Sequence, residues 1–384
     1  MKRNLIIASV VALLLLGALT AYFLLRPAGP GERTFLGGLP IIGGRAPLAP
    51  GGMPPGLPAD GQSGTAPEAR LREIINRDIL APAMGADGKS LYFIDRANGH
   101  IMQSDLEGNN EATLANLTIL SGFEGLWSPL KNRVAIAYAE QNAVKRFVES
   151  TATATPSYFL PANAIAAAWS PDGRSIAYLT RQGETTNLVI ADQANRGGRT
   201  VYQTPVPDFA ASWAGRNTIV LVSRPSGLAP SLVLQFDAVS RSAAPILTGK
   251  RGIIIAPAPD GSGFLFSESS ARGEARPLSF YRLAERSITA LPVTTLAEKC
   301  GFSPDSKKIY CGVPRSIAAP SPDVWYRGEV TLVDELVEID IKTGQTKSLA
   351  VPNLDIISPF TSPNGSFLFF QDKTTGALWR LALE

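Results

Sequence analysis

A five-residue unit, Trp169-Ser170-Pro171-Asp172-Gly173, recurs in degraded form along most of the chain, and its spacing restricts the fold more than any other feature. The register runs through Met84-Gly85-Ala86-Asp87-Gly88, Trp127-Ser128-Pro129, Trp169, Trp213-Ala214-Gly215, Pro257-Ala258-Pro259-Asp260-Gly261, Phe302-Ser303-Pro304-Asp305-Ser306 and Thr361-Ser362-Pro363-Asn364-Gly365. First positions are separated by 43, 42, 44, 44, 45 and 59 residues. A fixed period in that range marks a solenoid, a propeller or an array.

The unit has the chemistry of a tight turn. Pro171 presets φ, Asp172 tolerates the next position, and Gly173 accepts positive φ. That describes a type I turn closing a hairpin through a glycine bulge. Short β-branched and aromatic runs follow the turns, such as Ser175-Ile176-Ala177-Tyr178-Leu179 and Ser366-Phe367-Leu368-Phe369-Phe370. A third run ends at an acidic residue, as in Leu336-Val337-Glu338-Ile339-Asp340, and a weaker fourth precedes the next turn, as in Arg199-Thr200-Val201-Tyr202. Four antiparallel strands in about 43 residues make one blade of a β-propeller. An open β-sandwich is the alternative, but it does not account for one register shared by seven copies. The expected fold is all-β, a seven-bladed propeller of four-stranded antiparallel blades.

Trp-Ser-Pro-Asp-Gly at 169–173 followed by Arg174-Ser175-Ile176-Ala177-Tyr178 resembles the TolB-type, WD-like β-propeller repeat over about residues 70–384. The resemblance implies a propeller. Members of that family include periplasmic scaffold proteins and the propeller domains of certain serine peptidases, so the fold leaves function open.

The last repeat ends at Leu378-Trp379-Arg380-Leu381, a third strand with no fourth behind it, while Arg70-Leu71-Arg72-Glu73-Ile74-Ile75 is spare ahead of the first. The spare segment is expected to supply the outer strand of the seventh blade and so remove an open edge. A short helix over Glu68–Arg77 is the other reading.

Three segments follow from composition: 1–26 a transmembrane signal anchor, 27–67 a linker, and 68–384 the propeller. Leu5 to Leu25 is an apolar run of 21 residues interrupted by Ser9 and Thr20, long enough for a membrane-spanning helix. Lys2 and Arg3 ahead of it favour a cytoplasmic N-terminus, although Arg26 weakens the asymmetry. A cleaved signal peptide competes, but its apolar region would be shorter and followed by a small-residue cleavage site. In the linker 20 of 41 residues are Gly or Pro, a composition that buries no core and reads as disordered. Within it, Phe35-Leu36-Gly37-Gly38-Leu39-Pro40-Ile41-Ile42 is either a docking patch or a chance run of hydrophobes. The expected location is therefore the cytoplasmic membrane, single-pass, with the propeller periplasmic or extracellular.

The two cysteines, Cys300 and Cys311, flank the sixth turn. Neighbouring antiparallel strands bring such positions within disulfide reach, and an oxidising compartment would preserve the bond. Two buried thiols are the alternative.

No reaction is written in the chain. His100 is the sole histidine; a Ser-His-Asp triad would need it, and no Gly-x-Ser-x-Gly elbow is present. One His and two cysteines of a single hairpin do not make a zinc site. No phosphate-binding glycine loop occurs, so neither a cofactor nor a metal is expected. A net charge of +3 with interspersed signs argues against a nucleic-acid surface.

The long sixth interval holds an insertion of about fifteen residues between Cys311 and Leu336, containing Trp325-Tyr326-Arg327. These are hot-spot residue types, and they equally serve to pack a loop on its own domain. In a four-stranded meander this loop lies on the face opposite the turns and the closing strand's start, which would aim Trp325 outward. Trp127, Trp169, Trp213 and Phe302 are expected to wedge between blades, with Pro171, Asp172, Gly173, Asp260 and Gly261 forming turns. The function expected is a non-catalytic envelope scaffold or recognition module that binds protein partners. A channel enzyme of lactonase or glycan-hydrolase type, or a small-ligand sensor, is the alternative.

Overall fold

Seven four-stranded antiparallel sheets follow one another along the chain, each a meander from an innermost to an outermost strand. The computed structural model describes residues 70–151 and 156–383. The innermost strands are Ile79–Met84, Gly122–Trp127, Ala164–Trp169, Phe209–Trp213, Arg251–Pro257, Cys300–Phe302 and Ile356–Thr361, for blades 1 to 7. The segments 1–26 and 27–67, with Leu5–Leu25 and the Phe35–Ile42 patch, lie outside the described residues. Among the described residues no helix is long and apolar enough to cross a membrane.

Each repeat unit closes the hairpin between the first two strands of its blade. In blade 3 the Ser170 carbonyl accepts from Gly173 N at 2.8 Å, and Gly173 sits at φ +67°. Asp172 Oδ1 accepts from Ser170 Oγ at 2.6 Å and from Arg174 N at 3.1 Å. These bonds to the ionised carboxylate hold its pKa below the usual range. Asn364 takes the Asp role in blade 7, accepting from Ser362 Oγ at 2.8 Å. In blade 5 Asp260 Oδ1 accepts from Ser262 Oγ at 2.7 Å, with Gly261 at φ +72°.

The core lies in the seams between blades. Seven buried clusters each join residues of neighbouring sheets, as where Trp127, Val134 and Ile136 of blade 2 meet Leu80, Ile94 and Ile101 of blade 1. The aromatic first position of the repeat belongs to these seams. Trp127 Nε1 donates to Ala81 O at 2.8 Å, and Trp169 Nε1 to Leu126 O at 2.9 Å, in each case the preceding blade's innermost strand. A buried indole N–H needs such a partner. Trp213 also packs against the seam between blades 3 and 4, but its Nε1 turns back to Arg216 O of its own hairpin at 3.4 Å. Phe302 meets Phe280 of blade 5 edge-on, with ring centroids 6.4 Å apart.

Residues Leu71–Ile75 form a strand, not a helix, and pair antiparallel with Leu378–Ala382 as the outermost strand of blade 7. Leu71 lies opposite Leu381, so the chain enters this strand on the face that carries the repeat turns. Ile75 is buried with Ile79, Phe93 and Phe369 in the seam that closes the ring. In blade 6 Cys300 faces Cys311 across the first hairpin, and a disulfide joins them with a Cα–Cα distance of 4.1 Å.

Candidate recognition face

The opposite face carries the loops between second and third strands and the starts of the innermost strands. The largest of these loops, 315–333, joins Lys308–Pro314 to Asp334–Asp340 in blade 6 and contains one helical turn, Asp323–Tyr326. It lies across its neighbours. Ser321 N donates to Gly273 O at 2.8 Å and Ser321 O accepts from Ser269 Oγ at 2.5 Å, both in blade 5. Asp323 Oδ2 accepts from Gly227 N of blade 4 at 2.7 Å, and Lys373 Nζ of blade 7 donates to Trp325 O at 3.2 Å. Close approach requires Gly227, where a Cβ would stand 2.3 Å from Ser321 O.

Trp325 does not point outward. Its side chain is 2% exposed and forms the underside of the loop. Its Nε1 donates to Asp355 Oδ2 at 2.9 Å and Oδ1 at 3.2 Å. Asp355 also accepts from Lys299 Nζ at 2.5 Å and from Leu332 N at 3.0 Å. Lys299, fully buried, makes a second pair with Asp334 Oδ2 at 2.8 Å and stands 5.1 Å from the Trp325 ring centroid. Burying a charged cluster is costly unless its members are paired, and here the loop supplies Asp355 with the Trp325 and Leu332 donors beside Lys299. Hence the tryptophan of the Trp325-Tyr326-Arg327 triplet serves the loop's own packing. Tyr326, 46% exposed, and Arg327, paired with Glu329 at 2.5 Å, remain on the surface.

Two carboxylates compete for the one ammonium of Lys299. Asp355 has the Trp325 and Leu332 donors in addition. Asp334 has only Ile356 N at 2.6 Å, and its Oδ1 has no partner. Burial therefore pushes the Asp334 carboxyl up to about 6. The carboxyl of Glu298, the residue before Lys299, is raised chiefly by burial; the Tyr326 hydroxyl donates to it and is itself held well above its ordinary value by burial.

Beside this loop an open cavity of about 880 Å³ runs over blades 2 to 4. Phe123, Val144, Ile165 and Pro225 supply apolar surface, Arg146, Arg181 and Arg224 positive charge, and Glu124 and Asp208 negative charge. Arg224 and Pro225 also border a depression of about 500 Å³ against Asp323, Tyr326 and Arg327. Phe123 and Glu124 border a third cavity of about 500 Å³ at the channel mouth, lined by Asp78, Arg96, Glu298, Asp372 and Lys373. Among the large exposed apolar side chains, Leu120, Phe123, Val144, Leu228, Tyr326, Val333 and Val351 lie in loops or strand ends of this face, whereas Leu130 and Val239 lie in loops of the turn-bearing face and Phe159 and Ile288 on outermost strands.

His100 immediately precedes the third strand of blade 1, Ile101–Asp105, half-buried, with its backbone N–H bonded to Asn98 Oδ1 at 2.8 Å. Its imidazole makes no hydrogen bond among the described residues. No three His, Cys, Asp or Glu side chains are grouped to hold a metal among the described residues.

Sequence reasoning missed Lys299, Asp334, Asp355, Phe123 and Arg224. One signal was present: an acidic residue stands immediately before the innermost strand in Asp78-Ile79, Asp208-Phe209 and Asp355-Ile356.

No family model matches the chain. No curated protein matches it either. Among solved structures, an oligogalacturonate lyase in complex with manganese overlays with TM-score 0.59 at 14% identity, covering 83% of this chain and 92% of that one. The Cps50 (Swd1) β-propeller domain of Myceliophteria thermophila overlays with TM-score 0.55 at 12% identity, covering 82% of this chain and 100% of that one. TolB from Acinetobacter baumannii overlays more loosely, with TM-score 0.43 at 17% identity and coverages of 80% and 78%. The first two likenesses establish the β-propeller fold. At such identities they carry no activity across.

Proposed function

We propose that the chain is a non-catalytic recognition module of the cell envelope, tethered to the membrane by Leu5–Leu25, that binds protein partners through the face opposite the repeat turns. One observation carries the reading: seven of the eleven large exposed apolar side chains among the described residues lie on that face, which holds an open groove of about 880 Å³ and, sharing Arg224 and Pro225 with it, a depression against the firmly seated loop. Clustered exposed hydrophobes rimmed by charge mark interaction sites. The Cys300–Cys311 disulfide supports an oxidising compartment. Proximity labelling in the native cell, with wild type and a Phe123→Asp, Leu228→Asp variant, tests it. The variant should lose specific labelled proteins; an unchanged set would overturn the reading.

A second reading, an enzyme using the central channel, has one observation in its favour: Asp78, Glu124, Glu298 and Asp372 line the channel-mouth cavity. Each is already engaged, Asp78 with Arg96 at 3.4 Å, Glu124 with Arg146 at 3.5 Å, Glu298 with Tyr326, and Asp372 with the backbone and hydroxyl of Thr375. Turnover of lactones or glycans by the purified protein, abolished by Glu298→Gln, would favour this reading over the first.

A further inference from the structure

One backbone contact repeats around the recognition face. In blades 1, 2, 3, 4 and 7 the residue just ahead of the innermost strand offers its carbonyl to an N–H at the end of the second strand of the same blade. The bonds are Arg96 N to Asp78 O at 3.3 Å, Arg181 N to Asn163 O at 2.9 Å, Arg224 N to Asp208 O at 3.1 Å and Lys373 N to Asp355 O at 2.8 Å. In blade 2 the donor is Ala139, bonding Ser121 O at 3.4 Å. Four blades thus hold a basic side chain at one equivalent position, with Arg96 and Lys373 on the channel mouth and Arg181 and Arg224 on the groove.

These cations are not equally available. Arg96 pairs with Asp78 at 3.4 Å, Arg181 reaches Asp208 at 3.8 Å, and Lys373 is spent on Trp325 O. Arg224 is exposed and its guanidinium has no partner among the described residues. It stands where the apolar groove meets the loop depression, bordering both. An exposed guanidinium offers a planar fork matched to a carboxylate. Phe123, Val144 and Ile165 give the groove its apolar surface, and its two carboxylates, Glu124 and Asp208, are already paired with Arg146 at 3.5 Å and Arg181 at 3.8 Å.

Resting on the recognition-face reading, we infer that the groove takes an extended peptide segment of its partner in which apolar residues alternate with acidic ones. The apolar side chains lie on Phe123 and Ile165, and a carboxylate pairs with Arg224. Alternation suits the site because successive side chains of an extended peptide point to opposite sides. A uniformly charged sugar polymer would leave the apolar surface uncovered.

The test measures binding to the full chain in detergent by fluorescence anisotropy. The probes are a labelled heptapeptide alternating leucine and glutamate and its leucine–lysine counterpart, with trigalacturonate tested by calorimetry. The glutamate peptide should bind, weaken as salt rises, and lose about tenfold in affinity with Arg224→Glu. Arg272→Glu, the same charge change in a blade 5 loop, should leave binding unchanged. Phe123→Asp should weaken binding without altering the protein's melting. Equal binding of the lysine peptide, an equal loss with Arg272→Glu, binding of trigalacturonate alone, or binding of none of the three would overturn the inference. If the Phe123→Asp, Leu228→Asp variant loses cellular partners while the glutamate peptide does not bind, the recognition face stands and this inference falls.

Discussion

Trp325 Nε1 bonds both oxygens of Asp355, at 3.2 and 2.9 Å, across 30 residues of sequence and between two blades. The longest loop of the propeller is thereby pinned by its largest side chain to the start of blade 7, over a buried lysine.

Removing the indole donor while keeping an aromatic ring isolates that pin. Trp325→Phe leaves Asp355 short of one donor in a buried site, which costs about 1–3 kcal/mol. Denaturant unfolding should report that loss. Hydrogen exchange should report faster opening of amides in 316–332 while the blade strands stay protected.

The Asp334 carboxyl titrates at about 6 in the fold against 3.8 when free. Its native pKa is raised, so the folded state binds the proton more tightly. This group's contribution to stability is then full below about pH 4 and declines as pH rises through 6. Other carboxylates act in the opposite direction, so the measurement is a difference. The stability of wild type relative to Asp334→Asn should fall by at most about 3 kcal/mol between pH 4 and pH 7. A flat difference would assign the proton elsewhere in the cluster.

The disulfide closes a short loop between residues already held in register. Chain-entropy reasoning gives a contribution of about 2–3 kcal/mol. The Cys300→Ala, Cys311→Ala protein should therefore fold, with a lower denaturation midpoint and an unchanged slope.

Two tryptophans of the same repeat position should behave differently. Trp169→Phe removes a bond to the neighbouring blade at 2.9 Å and should cost about 1–2 kcal/mol. Trp213→Phe removes only a 3.4 Å bond to its own turn and should cost less than about 0.5 kcal/mol. Urea midpoints of the two variants test the contrast.

That contrast shows what was legible. Every blade writes its own turn in contiguous residues, so Ser170 to Gly173 could be read without knowing what surrounds them. The closing strand was legible as a surplus at 70–75 matching a deficit after Leu381. The Cys300–Cys311 pairing was legible because both residues flank one hairpin. The direction of Trp325 was not. Trp325-Tyr326-Arg327 has the composition of an interface, and what turns the indole inward is Lys299 and Asp355, which only the ring's closure brings beneath it. Arg96, Arg181, Arg224 and Lys373 were invisible for a related reason. Their equivalence is a matter of backbone register, and the residues around them differ from blade to blade.

The strand Leu71–Ile75 runs along Leu378–Ala382, and the Arg70 guanidinium holds Ala382 O at 2.9 Å at the first rung. Tension applied ahead of residue 70, drawn away from the turn-bearing face, acts parallel to this strand. Its rungs then bear the load together in shear and do not peel one at a time. The joint that completes the ring is thus a mechanical clamp, and a force reaching the domain from its N-terminal side is met first by the seam between its two chain ends.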